Sequence, residues 1–165
     1  MSWWVLTAEP IRRSWSSYVT VIYSTRRGST ELIAREIARG LGGAELVNLS
    51  KGRPKSLGDF VVVGSPIYYE RPLPEVTDFI RSTRGLERRV VAVFIVCIAD
   101  VFGFLGRRIA ERIYLNSLKE LIKGEVISEK IFRGWLRDMN KNTLKEAYEW
   151  GTELAKLFRS KAPTK

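Results

Sequence analysis

Residues Tyr18 to Leu41 read YVTVIYSTRRGSTELIAREIARGL, and the change of character inside this stretch decides how the rest of the chain is read. The run YVTVI is rich in β-branched residues and predicts a strand. Beyond Thr30, residues Ile33, Ile37 and Leu41 recur at four-residue spacing, one face of a helix, which Gly42 and Gly43 then end. Between them lie four hydroxyls, two arginines and a glycine. At a strand-to-helix junction such residues can hold a phosphate: backbone N–H groups from Arg26 to Thr30, hydroxyls from Ser24, Thr25, Ser29 and Thr30, and the positive end of the helix dipole all converge. Gly28 would let the backbone come close without a Cβ in the way. The plainer alternative is that Ser29 and Thr30 only cap the helix. The GxGxxG and GxxxxGK(S/T) loops of dinucleotide and triphosphate sites are absent.

The same alternation continues outward. Further strands are predicted at Ala44–Leu49, Phe60–Gly64 and Val90–Cys97, with a more polar fifth within Val126–Phe132 whose composition suits a sheet edge. One helix follows Leu73, with Pro74 in its first turn. A second is suggested by Ile109, Ala110, Ile113 and Leu121. The last carries Leu144, Ala147, Tyr148, Gly151, Leu154, Ala155 and Phe158 from a cap at Asn142 or Thr143. Five strands alternating with four or five helices make an α/β, three-layer, doubly wound parallel sheet. With 165 residues the chain suits one domain. That domain is expected over 18–160, after an irregular N-terminal extension, 1–17, and before a frayed tail, 161–165. Ligands of such sheets bind beyond the carboxyl ends of the strands.

Composition narrows the chemistry. There is no histidine, which excludes a Ser-His-Asp triad, a Cys-His pair and a histidine-bound zinc. No other metal ligand set and no side-chain acid or base stands out, so catalysis would be a cofactor's. Cys97 is the single cysteine, permits no internal disulfide and reads as a small core residue. The absence of glutamine and the dominance of Arg, Lys and Glu resemble the composition of proteins that work hot. A net charge of +10 favours anionic partners. The pairs Arg88-Arg89 and Arg107-Arg108 lack interleaved aromatics, so nucleic acid is not expected. No apolar run approaches the roughly 20 residues that cross a bilayer, and WWVL near the start lacks the flanks of a signal peptide. A cytoplasmic location follows as the expectation. Peripheral contact at the inner face of a membrane, through Trp3 and Trp4 or through Phe102, Phe104 and Leu105 beside Arg107 and Arg108, is the alternative.

The run VIYSTRRGSTELIAREI, Val21 to Ile37, resembles the flavodoxin signature at every position: two apolar residues, the aromatic Tyr23, Thr25, Gly28, Thr30, Ala34 and Ile37. The resemblance implies a flavodoxin-like sheet of order 2-1-3-4-5 that binds FMN. Ser24, Thr25, Arg26, Arg27, Gly28, Ser29 and Thr30 would hold the phosphate. By the same resemblance GSPIYY at Gly64–Tyr69 would cover the isoalloxazine ring with Pro66, Ile67, Tyr68 and Tyr69, and Ile98, Ala99 and Asp100 would close its other side. Arg26 and Arg27 depart from electron-transfer flavodoxins, whose loops there are usually neutral. The charge of the chain and of this loop predicts a less negative reduction potential than an acidic flavodoxin has. The phrases YSTRRGSTELIA and DFVVVGSPIYYERPLPEVTDFI are similar to bacterial menaquinone-dependent protoporphyrinogen oxidases. Those enzymes carry an added basic, aromatic segment before the last helix, where this chain has only GWLRDMNKN, Gly134–Asn142. The function expected is an FMN-dependent oxidoreductase or electron carrier whose partner is a redox protein or a quinone. Protoporphyrinogen oxidation is one alternative, and a cofactor-free interaction module of the same fold is another. Oligomeric state stays open.

Overall fold

The β-branched run before the hydroxyl-rich loop forms a central strand, β1 (Val19–Tyr23), with all five residues buried. The computed structural model describes residues 19–98 and 104–161, and their side chains except at 104–107. From β1 the chain continues through α1 (Ser29–Gly40), β2 (Glu45–Asn48), β3 (Phe60–Tyr68), α2 (Pro74–Ser82), β4 (Val90–Cys97), α3 (Phe104–Leu121), β5 (Glu125–Arg133) and α4 (Lys141–Lys161). The strands lie parallel in the order β2-β1-β3-β4-β5, the doubly wound arrangement expected. The more polar β5 is one edge, as its sequence suggested.

Because successive residues of a strand point to opposite faces, β1, β3 and β4 each supply two cores. Val21, Val62 and Phe94 face α1 and α4, while Ile22, Val63 and Val93 face α2 and α3. On the first face Phe94, Phe132 and Trp150 meet edge to face, with centroids 5.8 to 6.1 Å apart. There α1 and α4 also touch backbone to backbone. A Cβ on Gly40 would lie 2.1 Å from the Tyr148 carbonyl oxygen, and one on Gly151 would lie 2.3 Å from that of Ile37.

Several boundaries differ from the sequence expectation. The third strand runs past Gly64 to Tyr68, because Ser65 and Pro66 remain paired with Ile95 and Val96 of β4. The last helix is capped not at Asn142 or Thr143 but at Asn140, whose Oδ1 accepts the Thr143 N–H at 3.2 Å. The Thr143 hydroxyl donates instead to the Arg133 carbonyl. On α3 the expected apolar residues Ile109 and Ile113 are 57% and 59% exposed, whereas Leu121 packs against the core as expected, and Leu115 and Leu118, with Ile122 just past the helix end, are buried. Two residues along a helix is a rotation of about 200°, so Ile113 and Leu115 face opposite ways. That helix carries two apolar stripes, and the sheet took the one with Leu115 and Leu118 over the one with Ile109 and Ile113. Lys161, expected to begin the tail, ends α4.

Candidate functional site

The β1–α1 loop, the end of β3 and the end of β4 meet at the carboxyl edge of the sheet, beside the point where the chain reverses direction between β1 and β3. In the loop, Gly28 has φ +95°, a left-handed conformation that a residue with a Cβ adopts only with strain, and it is the residue preceding α1. Its N–H is donated to Thr25 Oγ1 at 3.0 Å, which folds the loop back on itself. No side chain caps α1, so the capping alternative for Ser29 and Thr30 fails: both are already inside the helix and buried. The Thr30 hydroxyl is fully buried and has no hydrogen-bond partner among the described residues. Leaving such a group unsatisfied costs about 1–3 kcal/mol. The first N–H groups of any helix also lack intrahelical acceptors, so the start of α1 gathers donors without partners. Arg26 and Arg27 stand exposed at the rim.

The β3 end forms the neighbouring wall. Beyond the Tyr23–Gly64 pair β3 outruns β1, then doubles back as a hairpin with Ile67 opposite Pro72 and Tyr68 opposite Arg71. Tyr69 and Glu70 occupy the turn with φ of 49° and 62°, the twist a two-residue hairpin needs. Pro66 is buried, Ile67 and Tyr68 are half-buried against the α2/α3 core, and Tyr69 is 96% exposed at the tip. The Ser65 hydroxyl, fully buried, accepts the Leu73 N–H at 2.8 Å and so fixes the hairpin to the start of α2. Ile98 is half-buried at the end of β4. Ala99 and Asp100 lie outside the described residues, as do Phe102 and the Trp3-Trp4 pair.

Two residues that sequence reasoning did not single out also reach this edge. Gly134, leaving β5, donates its N–H to the Cys97 carbonyl at 3.0 Å and packs against Val96 and Ile98, close to the Ser29 hydroxyl. Glu75, in the first turn of α2, turns its carboxylate into the β1–α1 loop. There Oε1 accepts the Ser24 hydroxyl at 2.6 Å, and Arg26 forks onto both oxygens, with Nη2 to Oε2 at 3.0 Å. The Arg26 guanidinium, helped by Ser24, holds the Glu75 carboxyl down to about 2 against the effect of its partial burial. In the sequence Glu75 is one acid in the first turn of a helix, and nothing marks it except the Pro74 beside it. Tyr23, buried below the loop, donates to Glu31 at 3.0 Å, and burial with that carboxylate pushes its hydroxyl up to about 12.

A family model described as a flavodoxin domain matches residues 20–158. The chain belongs to the flavodoxin domain family. No curated protein matches it. Among solved structures, a flavodoxin, WrbA-like protein from Agrobacterium tumefaciens superposes with a TM-score of 0.67 at 17% identity, covering 88% of this chain and 99% of that one. Oxidised flavodoxin 1 from Bacillus cereus gives 0.61 at 18% identity, covering 84% and 97%. Two-electron reduced flavodoxin from Megasphaera elsdenii gives 0.57 at 20%, covering 84% and 98%. These likenesses agree with the fold of this flavodoxin domain, and its loop residues stand on their own geometry. No described helix is long and apolar enough to cross a membrane.

Proposed function

We propose that this flavodoxin domain binds one FMN noncovalently and serves as an oxidoreductase or electron carrier. The observation that carries the reading is the buried, unpartnered Thr30 hydroxyl at the start of α1, behind a left-handed Gly28 and under a hydroxyl-lined loop. A phosphate supplies the acceptor oxygens these donors lack. Ser24 to Thr30 would hold it, and Pro66 to Tyr69, with Ile98 to Asp100, would border the ring. When bound, FMN supplies reversible uptake of electrons or hydride. The chain's own part is to fix the phosphate, keep water from one side of the ring with the β3 hairpin, and set the local charge. The domain is taken as 18–160, its partner as a redox protein or quinone and its location as cytoplasmic, with contact at the inner membrane face as the alternative.

The charge at the loop is smaller than the sequence suggests, since Arg26 is paired with Glu75 and only Arg27 adds a net positive charge there. The potential is still expected to be less negative than an acidic flavodoxin's, because the chain carries +10 overall. Spectroelectrochemistry checks this, and a midpoint as low as those proteins show would refute it.

A second, finer reading is menaquinone-dependent protoporphyrinogen oxidation, supported by the phrases at Tyr23–Ala34 and Asp59–Ile80. The short Gly134–Asn142 connection lacks the added segment of those enzymes. A cofactor-free module is opposed by the unsatisfied Thr30 hydroxyl. Substitution separates the two classes: Thr30→Val with Gly28→Leu should abolish FMN retention if the loop holds phosphate, and leave the protein unaltered in its binding if it is scaffolding. Porphyrinogen and menaquinone turnover by the FMN-loaded protein would then distinguish the enzyme from the carrier.

A further inference from the structure

Glu75 occupies hydrogen-bond donors of the β1–α1 loop, accepting from Ser24 and Arg26. Its carboxylate comes from α2, 51 residues along the chain from Ser24 and 49 from Arg26, so the contact is tertiary and not a by-product of local sequence. The Ser24 side chain is fully buried, and its hydroxyl donates to Glu75. A serine hydroxyl has one hydrogen to give. It can serve the Glu75 carboxylate or a phosphate oxygen, not both. The fork of Arg26 onto both carboxylate oxygens is the geometry a guanidinium also offers to phosphate. Two anions beside the same half-buried donors repel one another, and the dielectric there is lower than in water.

We propose that Glu75 is an internal carboxylate ligand of the phosphate loop, which a phosphate monoester must displace from Ser24 and Arg26, and that it thereby sets the preference for phosphorylated over unphosphorylated flavin. The inference rests on the reading that this loop takes the phosphate of FMN. Before the ligand arrives, Glu75 satisfies the Ser24 hydroxyl and holds Arg26 in place. On exchange Glu75 swings toward solvent at the head of α2, and Arg26 is freed to bond the phosphate. An unphosphorylated flavin makes no such demand and leaves Glu75 where it is.

The test is a pair of binding titrations, with FMN and with riboflavin, on the wild-type chain and on Glu75→Gln, followed by flavin fluorescence at neutral pH. The amide introduced by Glu75→Gln would still accept from Ser24 but carries no charge. The dissociation constant for FMN should fall by a few fold, at most about fivefold, the scale of one partly exposed charge pair, while that for riboflavin stays unchanged. Glu75→Ala should move FMN in the same direction, and circular dichroism with a thermal melt establishes that each variant is folded. If only the folded variants bind FMN, Glu75 excludes the phosphate instead of yielding to it, which overturns the displacement proposed here. Equal or weaker FMN binding by both folded variants, beside a wild type that does bind it, overturns the proposal alone. Failure of all three proteins to bind FMN overturns the functional reading and this inference with it.

Discussion

The two faces of the sheet are built by different means. Under α1 and α4 the core is aromatic, with Phe60, Phe94, Phe132, Trp150 and Phe158, and the two helices approach until glycine is the only residue that fits between them. Under α2 and α3 the core is mainly aliphatic, Phe79 being its one fully buried ring among the described residues, and α3 leaves Ile109 and Ile113 in solvent. The first face carries the hydroxyl-rich β1–α1 loop at the head of α1, and the second carries Glu75 at the head of α2. The β1–α1 loop is thus backed by backbone contact and aromatic packing, and the carboxylate that meets it by side-chain packing in an aliphatic layer.

The contrast can be broken most strongly at Gly151. Gly151→Leu would drive a side chain into the Ile37 carbonyl, where neither helix can give way without moving, and should cost about 3 kcal/mol or more by urea unfolding. Leu118→Ala on the opposite face opens a cavity among aliphatic neighbours and should cost less, about 2 kcal/mol, in the same assay. An equal loss at both sites would mean that the layers are equally rigid.

A smaller effect sharpens the difference in acid. Glu75 titrates near 2 in the folded chain against an ordinary value of 4.5, so its bond to Arg26 contributes fully above the ordinary value and is lost as the pH falls from there toward 2. Arg26 is 44% exposed, which limits the contribution to below about 1 kcal/mol. Stability measured across that window should fall further in wild type than in Glu75→Gln. Smallest of all, Ile113→Ser should change stability by no more than about 0.5 kcal/mol, because that side chain lies outside the core. A loss near that of Leu118→Ala would show Ile113 to be covered by something in solution.

These regions also differ in how far the sequence could be read. The β1–α1 stretch was legible in its strand and its helix, which follow from local chemistry, β-branched residues and apolar spacing of four, whereas the left-handed turn at Gly28 was not read from the sequence. The strand order likewise followed from family resemblance and alternation. Helix α3 misled because it carries two apolar stripes about 200° apart, and a periodicity count cannot tell which one the sheet will take. The end of β3 misled because Ser65 and Pro66 look like turn residues, yet their pairing is set by β4, a partner distant in sequence. Glu75 was invisible for the same reason: its meaning depends on Ser24 and Arg26 across the fold.

The central claim is that the hydroxyl-rich loop holds the phosphate of a flavin, and the visible absorption spectrum of the purified protein, after addition of FMN and desalting, tests it most directly. Bands of bound oxidised flavin should be retained by the wild type and lost when Thr30→Val and Gly28→Leu are introduced together. A colourless wild-type protein after desalting, with its fold intact, would contradict it.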